Sequence, residues 1–328
     1  MKSIILGILS SLFFASTFVL NRQMDLFGGD WIFSASLRYI FTLPFLLIIL
    51  YGKNNIKKVI FEIKNNFKEW FIWSNVGFVL FYAPLTFAGN YGPSWLIAGT
   101  WQVTIVAGIL VTPLFYSMIE NNGNLEKVRN KIPKKSLFIS LIILFGILLM
   151  QYSRITSVSI NDLVLGFIPV IIAAFSYPLG NRKTMEISGG KLTTFQRILG
   201  MTLCSMPAWI LLLFYGLLRS GIPNNNQIMQ SFIVALFSGI IATWLFFKAT
   251  DIVRKDMKKL AAVESTQSGE IVFSVLGELI LLGGAFPDIF ANLGLLVVIF
   301  GMVIHSTYSS KLSNWRSKCR AKNEQIII

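Results

Sequence analysis

The chain has 328 residues, of which 54% are hydrophobic and 13% charged, with a mean hydropathy of +0.66. Its charged content is about half that of an ordinary soluble domain, which excludes a soluble globular protein. The 29 Lys and Arg against 15 Asp and Glu leave a net charge of +14, which has to sit outside the apolar segments that dominate the chain.

Uncharged apolar runs predict ten membrane helices, at 4–20, 31–51, 70–89, 94–118, 137–152, 163–179, 192–218, 228–247, 260–282 and 287–307. At ~20 residues each they leave only short connections, with no room for a separate soluble catalytic domain. The first run follows Met1-Lys2 in the manner of a signal peptide, but it ends in Asn21-Arg22 without a small-x-small cleavage site and comparable runs follow it. Between the second and third runs, Ile56, Val59, Ile60, Ile63 and Phe67 recur at helical spacing among lysines, the pattern of an amphipathic helix on a membrane surface. The two cysteines, Cys204 in an apolar run and Cys319 in a basic tail, offer neither a disulfide nor a metal-ligand spacing. No cofactor is expected.

Basic residues then fix a topology. With the N-terminus in the cytoplasm, the inner loops and tails carry 24 of them, in clusters at 53–68, 127–135, 182–191, 248–259 and 311–322 plus Lys2. The outer loops carry only Arg22, Arg154 and Arg219. One span more or fewer would invert every later loop and destroy this asymmetry, so ten spans with both termini cytoplasmic is the expectation. The clusters read as retention of charge at the inner face of the cell membrane rather than as a nucleic-acid footprint.

The chain also repeats itself. Asn21-Arg22, Gly28-Gly29 and Arg38 are echoed by Asn181-Arg182, Gly189-Gly190 and Arg197, at an offset of about 160 residues. Gln102 is matched by Gln267, Glu120 by Glu278 and Gly146 by Gly301. An odd number of helices per copy inserts the second copy from the opposite side, giving inverted five-helix repeats over 1–155 and 156–310 and a basic cytoplasmic tail over 311–328. Alternating access is the mechanism such a pair supports.

Gly277-Glu278, the following Leu279-Ile280-Leu281-Leu282, and the Gly-rich stretch from Leu293-Gly294 to Phe300-Gly301 carry a resemblance to the ten-helix form of the drug/metabolite transporter superfamily, near its multidrug resistance efflux branch and its EamA-like members. The resemblance implies an all-α secondary carrier, with helices 1–4 and 6–9 around a central site and helices 5 and 10 at the periphery. One departure stands out. The four-helix relatives use a Glu in the first helix, and the first helix here has no acid.

Ionisable groups inside spans cost about 2.5–3.5 kcal/mol each on insertion scales and usually face a cavity or a partner. The ninth predicted helix has Glu264, Gln267, Ser268, Glu270, Ser274 and Glu278 within an arc of roughly 160°, one polar face toward the pathway. Glu270 lies near mid-depth and is the first candidate for coupling or cation binding. Glu264 is the second, with Lys258, Lys259 or Arg197 as possible partners, while Glu278 sits where a packing or gating role is expected. Arg38 and Arg197 are expected either to pair structurally, Arg38 with Asp25 or Asp30 and Arg197 with Glu186 or Glu264, or to act as an anion-binding or gate-locking pair. Trp101 and Gln102 near the midpoint of the fourth helix are candidate substrate contacts, with Trp95, Tyr82, Tyr177 and Trp244 as candidate cavity walls. Asn75 and Asn90 either bind substrate or bridge helices. His305 reads as an interfacial histidine.

These residues point to a secondary transporter in the lipid bilayer, exporting small amphipathic cations in exchange for protons. The alternatives are an exporter of amino acids or other metabolites, whose carboxylate Arg38 and Arg197 would hold, and a membrane-embedded lipid-head-group transferase. The last lacks the acid/base or metal constellation it needs.

Overall fold

The computed structural model describes residues 1–52, 54–121, 124–155 and 159–304. His305, Cys319 and the basic segment from 311 onward lie outside the described residues. Apolar periodicity and caps account for most of the helices. Helix α1 spans Lys2–Leu26 and α2 Trp31–Ile49, the latter started by the Asp30 carboxylate, which accepts from the Ile32 N–H at 2.9 Å. The amphipathic segment forms α3 (Asn55–Asn65), with Val59 and Glu62 buried and Ile60 and Phe61 exposed.

Then come α4 (Phe67–Tyr91), α5 (Ser94–Leu110), α6 (Lys134–Ile155) and α7 (Ile160–Ser188), followed by α8 (Thr194–Ser220), α9 (Asn225–Val253), a three-part α10 (Met257–Ser265, Thr266–Ser268 and Gly269–Leu281) and α11 (Ile289–Ile304). Thr193 and Gln196 form a capping box at the start of α8. Seven of these helices, α1, α2, α4 and α6–α9, are long and apolar enough to cross a membrane, and α5 and α11 are shorter apolar helices. The outward surface is apolar, with Ile48, Phe138, Leu148, Leu211, Leu218 and Phe300 all more than half exposed, as lipid contact requires.

Three departures from the sequence expectation have local causes. The fourth run stops at Leu110, because Pro113 in the turn Thr112–Leu114 cannot continue the helix. A two-stranded hairpin follows, β1 (Tyr116–Asn121) antiparallel to β2 (Asn124–Arg129), in an otherwise all-helical fold. Helix α7 runs nine residues past the expected end at 179, through Pro178, to Gly189, whose φ of 54° closes it in the left-handed conformation.

Two further irregularities are paired. A π segment, Asn75–Val79, lies inside α4 and another, Ala235–Ala242, inside α9. Helix α5 breaks at Gln102, between Ser94–Trp101 and Val103–Leu110, and α10 breaks at Thr266–Ser268, around Gln267.

Glycines allow close helix approaches. A Cβ on Gly77 would stand 3.1 Å from the Gly180 Cα, so α4 and α7 touch backbone to backbone. Gly146 of α6 likewise faces the Gly294 carbonyl of α11. Those two helices share an apolar cluster of Ile143, Ile147, Met150, Ala291 and Val298 with Trp95, Leu96 and Ile105 of α5 and Ile271 and Val275 of α10.

Candidate functional site

The polar residues of α10 converge with aromatic rings from α1, α4, α5 and α7. Glu270 is 1% exposed and lines a small cavity with Phe14, Thr17, Phe18, Phe81, Trp101, Tyr177, Ser238 and Gln267. Its volume, about 10 Å³, is the room of roughly one water molecule. The Trp101 indole lines the same cavity as the Glu270 carboxylate, whose Oε2 has no hydrogen-bond partner. No cation pairs with Glu270 among the described residues. The rings close around it: Phe81 lies 4.6 Å from Tyr177 and 5.1 Å from Trp101, and Tyr177 stacks on Phe246 at 5.6 Å.

Gln102 and Gln267 are in contact. The Gln102 Nε2 donates to the Gln267 carbonyl at 3.1 Å, while the side-chain amide of Gln267 and the Gln102 Oε1 have no partner. The helix breaks at both residues place polar backbone and amide groups at the heart of an apolar bundle.

A second cavity of about 10 Å³ shares the Phe81 and Tyr177 walls and is completed by Arg38, Tyr39, Thr42, Phe78, Ile198, Thr202, Gly239 and Thr243. Arg38 is 2% exposed. Its guanidinium lies over the Tyr82 ring at 3.9 Å and donates to the Ser238 Oγ at 2.8 Å, leaving Nε and Nη1 without partners. It reaches neither Asp25, which pairs with Arg22 at 2.8 Å, nor Asp30, which caps α2 and accepts from the Ser220 hydroxyl at 2.5 Å.

Glu264 is bound differently. Arg182 of α7 clamps it with Nε at 3.0 Å and Nη2 at 2.5 Å, and donates Nη1 to the Gly108 carbonyl of α5. Arg197 pairs with Asp251 of α9 at 2.9 Å, so it meets neither Glu186 nor Glu264. Glu278 caps α5 from a distance in sequence, accepting from the Ser94 N–H at 2.9 Å and from the Ser94 hydroxyl.

Of the other candidates, Tyr177 lines both cavities and Tyr82 supports Arg38. Trp95 is buried in the α6/α11 cluster and Trp244 stacks on Phe195 at 5.5 Å. Asn75 bridges α4 to α8 through the Cys204 carbonyl at 3.3 Å, and Asn90 is exposed.

Sequence reasoning missed Arg182, which it assigns to an inner-loop cluster, and Asp251, which falls within the basic stretch 248–259 and is not singled out. The Asn-Arg repeat gave no warning, because its other copy, Asn21-Arg22, also falls just past its expected span; in the structure both pairs lie inside helices.

Long apolar helices with a lipid-like exterior, wrapped around buried carboxylate, guanidinium and aromatic groups, define a multi-pass membrane protein with polar groups buried inside the bundle. The family model described as "Putative multidrug resistance efflux transporter" (EmrE) matches residues 1–311. The chain belongs to this family, whose members are membrane transporters and not enzymes. It is 52% identical over 321 residues to the uncharacterized protein YjlA of Bacillus subtilis (strain 168), covering 98% of this chain and 99% of that one. It is 50% identical over 270 residues to an uncharacterized 42.1 kDa protein of Shouchella clausii, covering 82% and 70% respectively. One solved crystal structure matches with a TM-score of 0.60 over 94% of this chain and 98% of that chain at 13% identity, a likeness of fold alone.

Proposed function

We propose that this protein exports small amphipathic organic cations from the cell by alternating access, in exchange for protons that bind at Glu270. The observation that carries this reading is the Glu270 carboxylate, buried against Trp101 and Tyr177 with one oxygen unpartnered and no resident cation among the described residues. A carboxylate in such a place is costly unless neutralised, by a proton or by a cation seated against the rings. Glu264 has its charge satisfied by Arg182 and is assigned to structure rather than coupling.

Ten spans in two inverted five-helix repeats, over 1–155 and 156–310, fit the same reading, with both termini and the tail over 311–328 on the cytoplasmic side of the cell membrane. The paired π segments Asn75–Val79 and Ala235–Ala242 support it, as do the paired breaks at Gln102 and Gln267, each recurring at an offset near 160 residues. The walls of the two central cavities come from α1, α2, α4, α5 and α7–α10, with none from α6 or α11, as for a carrier whose fifth and tenth helices are peripheral.

A site that holds either one proton or one monovalent cation exchanges them without net charge movement. In proteoliposomes, a pH gradient drives tetraphenylphosphonium uptake by the wild type, and Glu270→Gln, inserted at equal density, lowers it at least tenfold. Retention of gradient-driven uptake by Glu270→Gln overturns the assignment.

A further inference from the structure

We propose that Arg38 forms an anion subsite across the aromatic wall from Glu270, so that the preferred ligand carries a cationic centre and a carboxylate-like group on one aromatic or apolar body. This rests on the reading of Glu270 as the cation site and names the ligand class more closely.

A guanidinium buried at mid-bundle normally has a carboxylate beside it. The other two deeply buried arginines do: Arg182 holds Glu264 and Arg197 holds Asp251. Arg38, equally buried, meets a serine hydroxyl and the rings of Tyr82 and Tyr39 but no carboxylate among the described residues, and it lines a cavity with its Nε and Nη1 unpartnered. A buried guanidinium with free N–H donors and no counter-ion beside it suits an oxyanion. Arg197 lines neither cavity, so it is not the second half of an anion clamp.

The two subsites are neighbours. Phe81 and Tyr177 belong to both cavities, and Ser238, which accepts from Arg38, lines the Glu270 cavity. The Tyr177 hydroxyl is itself buried without a partner. Parting Phe81 from Tyr177 merges the cavities into one slot with an anion at one end, a cation at the other and rings between. The charge count follows. With a zwitterion aboard, the Glu270–Arg38 site crosses with no net charge, and it returns protonated with one positive charge. Each zwitterion exported therefore moves one positive charge inward, whereas a simple cation exchanged for a proton moves none.

The test compares tryptophan, tryptamine and indole-3-propionate on the full-length protein, by competition against tetraphenylphosphonium and by transport in proteoliposomes of clamped potential. The wild type is expected to bind tryptophan at least tenfold more tightly than tryptamine, with transport that responds to membrane potential. Arg38→Gln and Arg38→Lys should each shrink that preference to about threefold or less. Equal or weaker binding of tryptophan than of tryptamine by the wild type overturns the anion subsite, as does a preference unchanged in both variants. Continued Glu270-dependent tetraphenylphosphonium exchange then shows that the cation reading survives; loss of both signals counts against both.

Discussion

Gln102 and Gln267 meet at the centre of the bundle, each at the point where its own helix is interrupted, and the bond between them runs from a side chain to a backbone carbonyl. The Gln267 side chain is thereby left idle in the fold and turned to the cavity. Gln267→Met keeps the carbonyl that Gln102 needs and removes two buried polar atoms that have no partner. Thermal unfolding of the variant is expected at or above the wild-type temperature, since such atoms cost about 1–3 kcal/mol, while proteoliposome transport falls several-fold.

Arg182→Ala would strand the Glu264 carboxylate, which is 4% exposed, and vacate the bond to the Gly108 carbonyl. Removing one member of a buried pair costs about 3–5 kcal/mol. The double variant Arg182→Met with Glu264→Gln should recover most of the loss, because no charge is left buried alone. Unfolding in detergent of the single and double variants checks this; a double variant less stable than Arg182→Ala contradicts it.

The Glu278 carboxylate closes the first turn of α5 at Ser94, which is 1% exposed. Ser94→Ala retains the backbone bond and should cost about 1 kcal/mol. Glu278→Ala orphans the Ser94 N–H and removes the negative charge from the helix start, and should cost about 2–3 kcal/mol. The order of the two unfolding midpoints, with Glu278→Ala the lower, is the measurement.

Contact between α4 and α7 depends on Gly77 and Gly180. A methyl group on Gly180 would collide with the Gly77 backbone and lie 2.9 Å from the Trp73 carbonyl, whereas one on Gly77 would first meet the movable Met201 methyl at 3.0 Å. Gly180→Ala is expected to lower stability by about 1–3 kcal/mol, with Gly77→Ala the milder of the two by thermal unfolding.

The sequence made much of this visible because apolar runs report burial and lipid contact directly. Trp101, Gln102, Gln267 and Glu270 stood out as polar or amphipathic groups where only apolar ones are cheap, and the structure gathers them around one cavity. Arg182 and Asp251 did not stand out, because basic and acidic residues near a span's end look like retained surface charge until the helix is known to continue through them. The hairpin was hidden behind a run of apolar residues that Pro113 ends, although Asn122-Gly123 carries a turn signature in the sequence. Which arginine takes which acid depends on helix neighbours in space, and spacing along one helix says nothing about that.

The two central cavities hold about 10 Å³ each, against about 300–1,000 Å³ for an ordinary small-molecule site. A ligand of any size must therefore make its own room, by turning Tyr177 away from Phe81. Capture becomes limited by ring motion rather than by diffusion, and association is expected below about 10⁵ M⁻¹s⁻¹. Among ligands of equal charge, bulk will then show in the rate of arrival before it shows in the strength of binding.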